Sequence, residues 1–440
     1  MDKNKILLKG MVLPMTGPKD FFARGEVAIE AGKILSVGPE GSAPQGWVPD
    51  AEYGGPDFLI MPGLINGHTH AGMTLLRSYA DDLPLMEWLQ EKVWPFEAKL
   101  TSDDIYWGTK LCILEMILSG TTTLVDMYFA MHKVAKAVDE SGFRAVLSRG
   151  MVGTGPATEL AYNQSKELIE NWHGKADGRI KVMVAPHAPY TCPPDFLKRA
   201  IKLAEEYGVG INTHLAETKV EVDDITKQYG KSPIRLMEEV GLFTRPVVAA
   251  HCVHVDEQEI ELLAKYKVGV IHNPESNLKL ASGVSPVTRM LEAGVTVGLG
   301  TDSACSNNNL DLFGEMRSAA FLQKVSCGST ALPAYQALEL ATVQGAKALG
   351  LENLGQLKPG FKADVILLNM HQPHLYPRHD VVAHLVYAAH GSDVQTVIID
   401  GNVVMENRQV LTIDSEKIMA EVQSRAEQIK ERLTAGTEQS

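Results

Sequence analysis

The feature of this sequence that most limits its fold is a pair of histidines after a short apolar run. His68 and His70 follow residues 59–65, whose side chains are mostly apolar. In a strand, residues i and i+2 point to the same side, whereas a helix would separate them at this spacing. If the run is a strand, the two imidazoles can therefore bind one metal ion.

Four further polar patches each follow a short apolar run. They comprise residues 214–217, 251–254, 272–275 and 301–302. A single histidine beside an apolar strand is usually an ordinary hydrogen-bonded residue, and Asp302 could be a helix N-cap or a turn residue. The repeated position of the patches instead favours a fold that gathers strand ends at one point.

The middle of the chain alternates predicted strands and helices, which indicates a parallel sheet with helices outside it. Helical stretches include residues 102–119, 194–207, 257–266 and 286–293. Eight parallel strands close a barrel whose active site lies at their C-terminal ends, where the polar patches occur. The predicted strands are residues 59–66, 122–127, 144–149, 181–186, 209–212, 247–250, 268–271 and 295–299.

The two ends of the chain instead show short strands and turns, at residues 6–10, 25–38, 360–369 and 394–404. Because a two-stranded hairpin is marginal by itself, we expect the ends to combine. The predicted class is α/β, a (β/α)8 TIM-like barrel with a small β-sandwich module built from both chain ends. The predicted division is 1–57 and 359–412 for the module, 58–358 for the barrel and 413–440 for a C-terminal helix.

Composition excludes several classes of protein. A barrel alone takes about 250 residues, so 440 residues leave room for the second module. The net charge of −13 argues against nucleic-acid binding. Five scattered cysteines without a CxxC pair predict a reduced, cytoplasmic protein. We find neither a signal-peptide core nor a transmembrane run, so no membrane association is expected.

These motifs resemble the amidohydrolase superfamily of metal-dependent hydrolases and deaminases. The resemblance covers nearly the whole chain and is carried by residues 62–70, 214–217, 249–252, 272–277, 300–302 and 357–364. More narrowly, the chain is similar to the 5′-methylthioadenosine/S-adenosylhomocysteine deaminases. That similarity is carried by residues 74–77, 80–83, 88–89, 93–97 and 125–129.

The resemblance implies one divalent metal ion per chain. Three imidazoles and a carboxylate suit zinc, with iron or manganese as alternatives. Members with two metals use a bridging lysine after the fourth strand, and residues 184–187 contain none. The implied ligands are His68, His70, His214 and Asp302.

Three side chains are expected to carry the acid–base chemistry of a hydrolytic deamination. Zinc lowers the pKa of bound water to about 7, which makes hydroxide available. Asp302 would take the water's proton and return it to the leaving amine, and Glu217 would protonate the ring nitrogen beside the attacked carbon. His251 would orient the hydroxide. The alternatives are that Glu217 is a helix-start carboxylate and His251 a structural hydrogen bonder.

By resemblance, the substrate is a small nucleoside. Glu97 would bind the ribose hydroxyls, Arg149 and His187 would line the pocket, and Trp88 with Met86 would pack against a thioether. Alternatively, Glu97 caps a helix, Arg149 pairs with Asp126, and Trp88 with Met86 is simply lid packing. Substrate binding is thus assigned to Glu97, Arg149, His187, Glu217 and Trp88.

The implied reaction is metal-dependent hydrolytic deamination of the adenine ring of 5′-methylthioadenosine, S-adenosylhomocysteine and adenosine. Residues 151–159 lack the second arginine that the family often offers, which counts against S-adenosylhomocysteine. The main alternative is a deaminase or hydrolase of guanine or an s-triazine. A non-catalytic assembly protein is disfavoured because the full ligand set is present. The sequence is compatible with a homo-oligomer.

Overall fold

A computed structural model of the chain describes residues 5–83 and 87–437. Within these residues lie a parallel barrel, a sheet from the two chain ends and surrounding helices. The strands are β1 (Ile6–Val12), β2 (Phe22–Glu30), β3 (Lys33–Pro39), β4 (Ala51–Pro62), β5 (Leu64–Thr69), β6 (Thr121–Tyr128), β7 (Arg144–Met151), β8 (Ile180–Val182), β9 (Ala185–Pro186), β10 (Ile211–Leu215), β11 (Val247–His251), β12 (Gly269–His272), β13 (Thr296–Leu299), β14 (Val365–Asn369), β15 (Val394–Ile399), β16 (Asn402–Glu406) and β17 (Gln409–Val410).

The barrel consists of two parallel arcs. The first runs from β5 through β6 and β7 to β8, with β9 also pairing with β7. The second runs from β10 through β11 and β12 to β13. Parallel bridges between Val184 and Ile211 and between Thr69 and Asp302 join the arcs at both edges. The predicted (β/α)8 architecture is therefore confirmed.

The predicted first barrel strand, residues 59–66, is wrong because this apolar run belongs to two strands in different sheets. Up to Pro62 the chain lies in β4, which pairs with β1 and β14 of the end module. At Gly63 the hydrogen-bond partner changes, since Leu64 N–H donates to the carbonyl of Gly120 beside β6. A Cβ on Gly63 would come within 2.2 Å of Thr122, so this approach to β6 needs glycine.

Some of the helices begin or end at residues that favour helix caps. Thr101 and Asp256 each form a capping box with an acidic side chain three residues on, and Gly208 ends a helix in the left-handed conformation. No helix in the described parts of the chain is long and apolar enough to cross a membrane. The α-helices are Trp94–Glu97, Ser102–Leu118, Met131–Ser141, Thr158–Trp172, Lys175–Gly178, Pro194–Tyr207, Lys219–Tyr229, Pro233–Glu239, Glu257–Lys265, Pro274–Lys279, Val287–Glu292, Leu312–Cys327, Ala334–Leu340, Val343–Ala348, Val381–Tyr387 and Ser415–Thr437. Short 3-10 turns span Ala71–Leu76, Leu242–Thr244, Pro373–Leu375 and Gly391–Asp393, and Trp88–Val93 is a π-helix.

Both chain ends contribute to one hydrogen-bonded sheet of eight strands, in the order β17-β16-β15-β14-β4-β1-β2-β3. Alternate residues supply two cores: Ile60 and Leu367 lie in the core of the module itself, whereas Met61 and Leu368 join the large core shared with the barrel. The sheet is therefore buried on both faces along these strands.

A buried ion pair also joins the module to the barrel. Arg144, the first residue of β7, donates to both carboxylate oxygens of Asp364, at 2.7 and 2.9 Å. Asp400 lies 3.5 Å from the same guanidinium. The predicted numerical division of the chain into domains stays a prediction, although the strand leading into the barrel extends past residue 57.

The last described helix, Ser415–Thr437, packs back onto the barrel. Ile418, Val422 and Ile429 face inward and are buried. On the same helix, Arg425 and Arg432 hold the buried carboxylate of Asp104 at 2.8 and 3.0 Å. The amphipathic spacing in this part of the sequence therefore does mark a packed helix.

The barrel interior is filled below the site. Inward-facing residues of five strands, together with Met183 between β8 and β9, pack with the segment that follows residue 345, which closes this end of the barrel. Polar side chains replace apolar ones toward the C-terminal strand ends, so the barrel presents them at one mouth. The apolar strand residues are Ile65, Val125, Val146, Val248 and Ile271.

Candidate active site

The two histidines at the end of β5 lie against Asp302, at the end of β13. His68 is the penultimate residue of β5 and His70 follows the strand. The register of β5 against β6 shifts between Asn66 and Thr69, which reorients the strand end. The Nε2 atoms of His68 and His70 lie 3.5 and 3.3 Å from Asp302 Oδ1.

His214, on β10, completes a group of three imidazoles. Its Nε2 lies 3.3 Å from Nε2 of His70. The Nδ1 atoms face backbone carbonyls, that of Met127 at 2.5 Å for His70 and that of His187 at 2.9 Å for His214. A carbonyl at Nδ1 favours a proton there, which leaves Nε2 unprotonated and able to bind a metal.

This group fits a divalent metal ion. Candidate ligand atoms of His68, His70 and His214, and likewise of His68, His251 and Asp302, lie within 4.8 Å of one another. His68 Nε2 is fully buried and has no hydrogen-bond partner among the described residues. A buried imidazole without a partner is costly unless a ligand satisfies it. Nitrogen donors with a carboxylate suit zinc, iron or manganese.

Two hydroxyl groups fix the orientation of the Asp302 carboxylate. Ser276 and Ser306 donate to Oδ2 at 2.6 and 3.0 Å, so that Oδ1 faces the histidines. Burial raises the pKa of Asp302, but the adjacent imidazoles of His68 and His70 hold that pKa well below the usual range. Asp302 itself has a positive φ of 59°, which is uncommon outside glycine. The anion is the form that a metal ligand requires.

Glu217 and His251 face each other beside this group. Glu217 Oε2 lies 3.8 Å from His251 Nε2, and both side chains are buried. Burial raises the pKa of Glu217, which favours the protonated acid. The other ring nitrogen of His251 is 2.8 Å from the side-chain oxygen of Asn277. The pair therefore combines a carboxyl group able to donate a proton with an anchored imidazole.

A cavity of about 560 Å³ opens in front of these groups. Its lining includes His70, His214, Asp302 and His251. All five side chains assigned to substrate binding from the sequence also line it. They are Trp88, Glu97, Arg149, His187 and Glu217.

The environments of Glu97 and Arg149 differ from the alternatives considered from the sequence. Glu97 accepts a hydrogen bond from the Tyr128 hydroxyl at 2.6 Å, and burial raises its pKa. Arg149 donates to Gln164 at 2.8 Å and to the Gly150 carbonyl, so its described hydrogen bonds do not involve Asp126.

Trp88 packs into the cavity wall and donates its indole N–H to the Ala80 carbonyl at 3.0 Å. His187 lies next to the candidate metal ligand His214, with the ring centroids 4.7 Å apart. Met86, which we paired with Trp88 from the sequence, lies outside the described residues.

Comparisons with known proteins identify the family of the chain. The amidohydrolase family model matches residues 59–404. A protein named 5-methylthioadenosine/S-adenosylhomocysteine deaminase from Desulfitobacterium hafniense is 56% identical over 430 residues, 98% of this chain and 100% of that protein. One of the same name from Pelotomaculum thermopropionicum is 58% identical over 423 residues, 96% and 98% of the two chains.

The chain belongs to the amidohydrolase family.

A crystal structure of an adenosine deaminase from Xanthomonas campestris with bound zinc has the same fold. It is 36% identical, with a TM-score of 0.93 over 98% of this chain and 99% of that one. The family and fold expected from the motifs are therefore confirmed. The roles of single site residues stay predictions.

Sequence reasoning missed several residues of this amidohydrolase site. Tyr128, which holds Glu97, ends β6, and Ser276 and Asn277 lie in the stretch that follows β12. All three lie in segments that carry the family resemblance, so the sequence offered a signal for them. Ser306 had none, because it is in none of those segments.

Proposed function

We propose that this amidohydrolase removes the amino group of the adenine ring of 5′-methylthioadenosine and related nucleosides by hydrolysis, releasing ammonia. The observation that carries the proposal is the buried acid Glu217 facing His251 beside a donor set that fits a metal. The full-length relatives named 5-methylthioadenosine/S-adenosylhomocysteine deaminase support the choice of substrate. We further propose cytoplasmic action, supported by cysteines that are all free.

The metal would be a single zinc ion held by His68, His70, His214 and Asp302. When bound, zinc lowers the pKa of water to about 7 and so supplies a nucleophile at neutral pH. Asp302 Oδ1 is the oxygen free to take a proton from that water, because Ser276 and Ser306 hold Oδ2.

Glu217 acts as the general acid. Attack at the ring carbon that bears the amino group places negative charge on the adjacent ring nitrogen, and the Glu217 carboxyl donates a proton there. His251 orients the attacking water and hydrogen-bonds the developing oxyanion. Asp302 returns its proton to the amine and ammonia leaves, while the proton remaining on the new carbonyl oxygen passes to the Glu217 carboxylate and restores the acid. Each proton thus has a donor and an acceptor among these three side chains.

Glu97 binds the ribose of the substrate. Tyr128 occupies Oε1 of its carboxylate, so Oε2 remains to accept from the ribose hydroxyls. His187 and Arg149 border the same cavity, and Trp88 gives it an apolar wall suited to a 5′-thioether. Only one arginine and no lysine appear among the described lining residues, which favours a neutral 5′ substituent over a carboxylate-bearing one.

The test is a side-by-side measurement of kcat/KM by ammonia release. The substrates are 5′-methylthioadenosine, S-adenosylhomocysteine, adenosine, adenine, guanine and an s-triazine. We expect 5′-methylthioadenosine to be best, adenosine competent and the free bases poor. If guanine or the triazine were best, the nucleoside assignment would be wrong. A Glu217→Gln preparation made in parallel controls for contaminating deaminases.

A further inference from the structure

The turn that carries Glu217 is held by a second buried glutamate. Glu221 is the third residue of the helix Lys219–Tyr229 and does not line the cavity. Its carboxylate oxygens accept the backbone N–H groups of Ala216 and Glu217, at 3.0 and 2.8 Å. Thr218 caps the same helix by accepting from the N–H of Glu221 at 3.1 Å.

This arrangement departs from an ordinary capping box. In the usual form the acidic residue reaches back to the N–H of the N-cap residue, as Glu259 does with Asp256 at 2.8 Å. Glu221 instead reaches the two residues before its N-cap, Thr218. Ala216 has a positive φ of 52°, which disfavours a residue with a Cβ. An unusual conformation persists only where its surroundings fix it.

The same turn is hydrogen-bonded to the segment that carries His251. The Ala216 carbonyl accepts from the N–H groups of Val253 and His254, both at 3.0 Å. The Leu215 carbonyl accepts from Cys252 N–H at 3.0 Å. His251 and Cys252 also have positive φ values, of 76° and 44°. Two turns of unusual conformation therefore support one another.

We infer that Glu221 is a positioning residue for the reaction. By binding the N–H groups of Ala216 and Glu217, it fixes the turn so that the Glu217 carboxyl faces His251 at 3.8 Å. The inference rests on the proposed role of Glu217 as general acid. It assigns Glu221 no contact with the substrate or the metal.

The test compares Glu221→Gln with a matched control, Glu259→Gln. Both glutamates are the third residue of a helix and both are buried. Glu221 accepts two backbone N–H groups, and Glu259 accepts the N–H of Asp256. A glutamine can offer only one carbonyl oxygen, so at position 221 its amide group opposes the second N–H. Misplacing a catalytic group by about 1 Å can cost up to 10²-fold in rate. We expect kcat of Glu221→Gln to fall about 10–10²-fold, with KM within about threefold and metal content unchanged.

Glu259→Gln should lower the urea midpoint of unfolding by about as much as Glu221→Gln does. Its kcat should stay within about twofold of the wild-type value. The double variant Glu217→Gln/Glu221→Gln should be no slower than Glu217→Gln alone, since Glu221 acts through Glu217. If Glu221→Gln does not yield folded protein, Glu221→Asp keeps the charge but shortens the reach, and the same kinetic pattern is expected.

Three results would overturn the inference. These are an unchanged kcat in Glu221→Gln, a loss of metal in that variant, or an equal loss of kcat in Glu259→Gln. A further loss in the double variant would also count against it. A failure of the proposed function is a different result: Glu217→Gln itself would then leave kcat unchanged.

Discussion

Replacing Glu217 with glutamine separates acid catalysis from metal binding and folding. The amide is nearly isosteric with the acid but has no carboxylic proton to donate. Among the described residues, the Glu217 oxygens make only long polar contacts, 3.5 Å to Ser282 Oγ and 3.8 Å to His251 Nε2. The substitution therefore breaks no short side-chain hydrogen bond, and the free energy of unfolding should change by less than about 1 kcal/mol.

The expected kinetic effect is much larger. Loss of a general acid usually lowers the rate by about 10²–10⁴-fold, which corresponds to about 2.7–5.4 kcal/mol of activation free energy. KM should change less than kcat, because the glutamine still fills the same space. Metal content should stay at the wild-type value, since Glu217 is outside the two groups of candidate ligands.

The assay is steady-state ammonia release with 5′-methylthioadenosine, together with elemental analysis and urea unfolding of the same samples. The matched control is Ser282→Ala, which removes the hydroxyl nearest Glu217 but leaves the acid, and should keep kcat within about tenfold. A kcat for Glu217→Gln within about tenfold of wild type would refute the assignment of the proton donor. If kcat of Glu217→Gln fell in proportion to a loss of bound metal, the separation of acid catalysis from metal binding would be refuted.

Three other outcomes are expected. Purified protein should contain about one divalent ion per chain, and His68→Ala should lower that content sharply by elemental analysis, because fewer ligands remain; two ions in the wild type would contradict a single site. Arg144→Met should destabilise the protein by about 3–5 kcal/mol in urea unfolding, because Asp364 would stay buried without its cation. Arg199→Met breaks an exposed ion pair with Glu159 and should lower the free energy of unfolding by less than about 1 kcal/mol. If Arg144→Met and Arg199→Met had equal effects, the argument from burial would be refuted. Glu97→Ala should lower kcat/KM for adenosine about 10–10²-fold and change that for adenine little, which a parallel assay of both substrates tests; equal losses would remove Glu97 from sugar recognition.

The end of the first apolar run shows that a sequence pattern can predict a strand without predicting which sheet the strand joins. Residues 59–66 form one apolar stretch, yet Pro62 ends a strand of the module and Leu64 begins a strand of the barrel. Side-chain periodicity describes a strand's faces but not its partners. The change of sheet at Gly63 depends on a close approach to Thr122, a residue 59 positions away.

The family resemblance, by contrast, is enough to predict most of the site from the sequence. His68, His70, His214 and Asp302 each lie at or just after a strand, and a parallel barrel places all such strand ends at one mouth. The fold class therefore predicts that these side chains lie near each other. Their individual roles depend on experiments with the variants above.

By itself, the sequence determined the fold class and the strand ends that carry donor atoms, because these follow from periodicity and motif spacing along one chain. Only the tertiary structure decided which carboxylate oxygen of Asp302 faces the histidines, that Tyr128 holds Glu97, and that Glu221 holds the turn of Glu217. The physical reason is that a hydrogen bond depends on distance and direction to within tenths of an ångström. Spacing along the chain fixes the side of a strand, but the packing of separate elements fixes such distances.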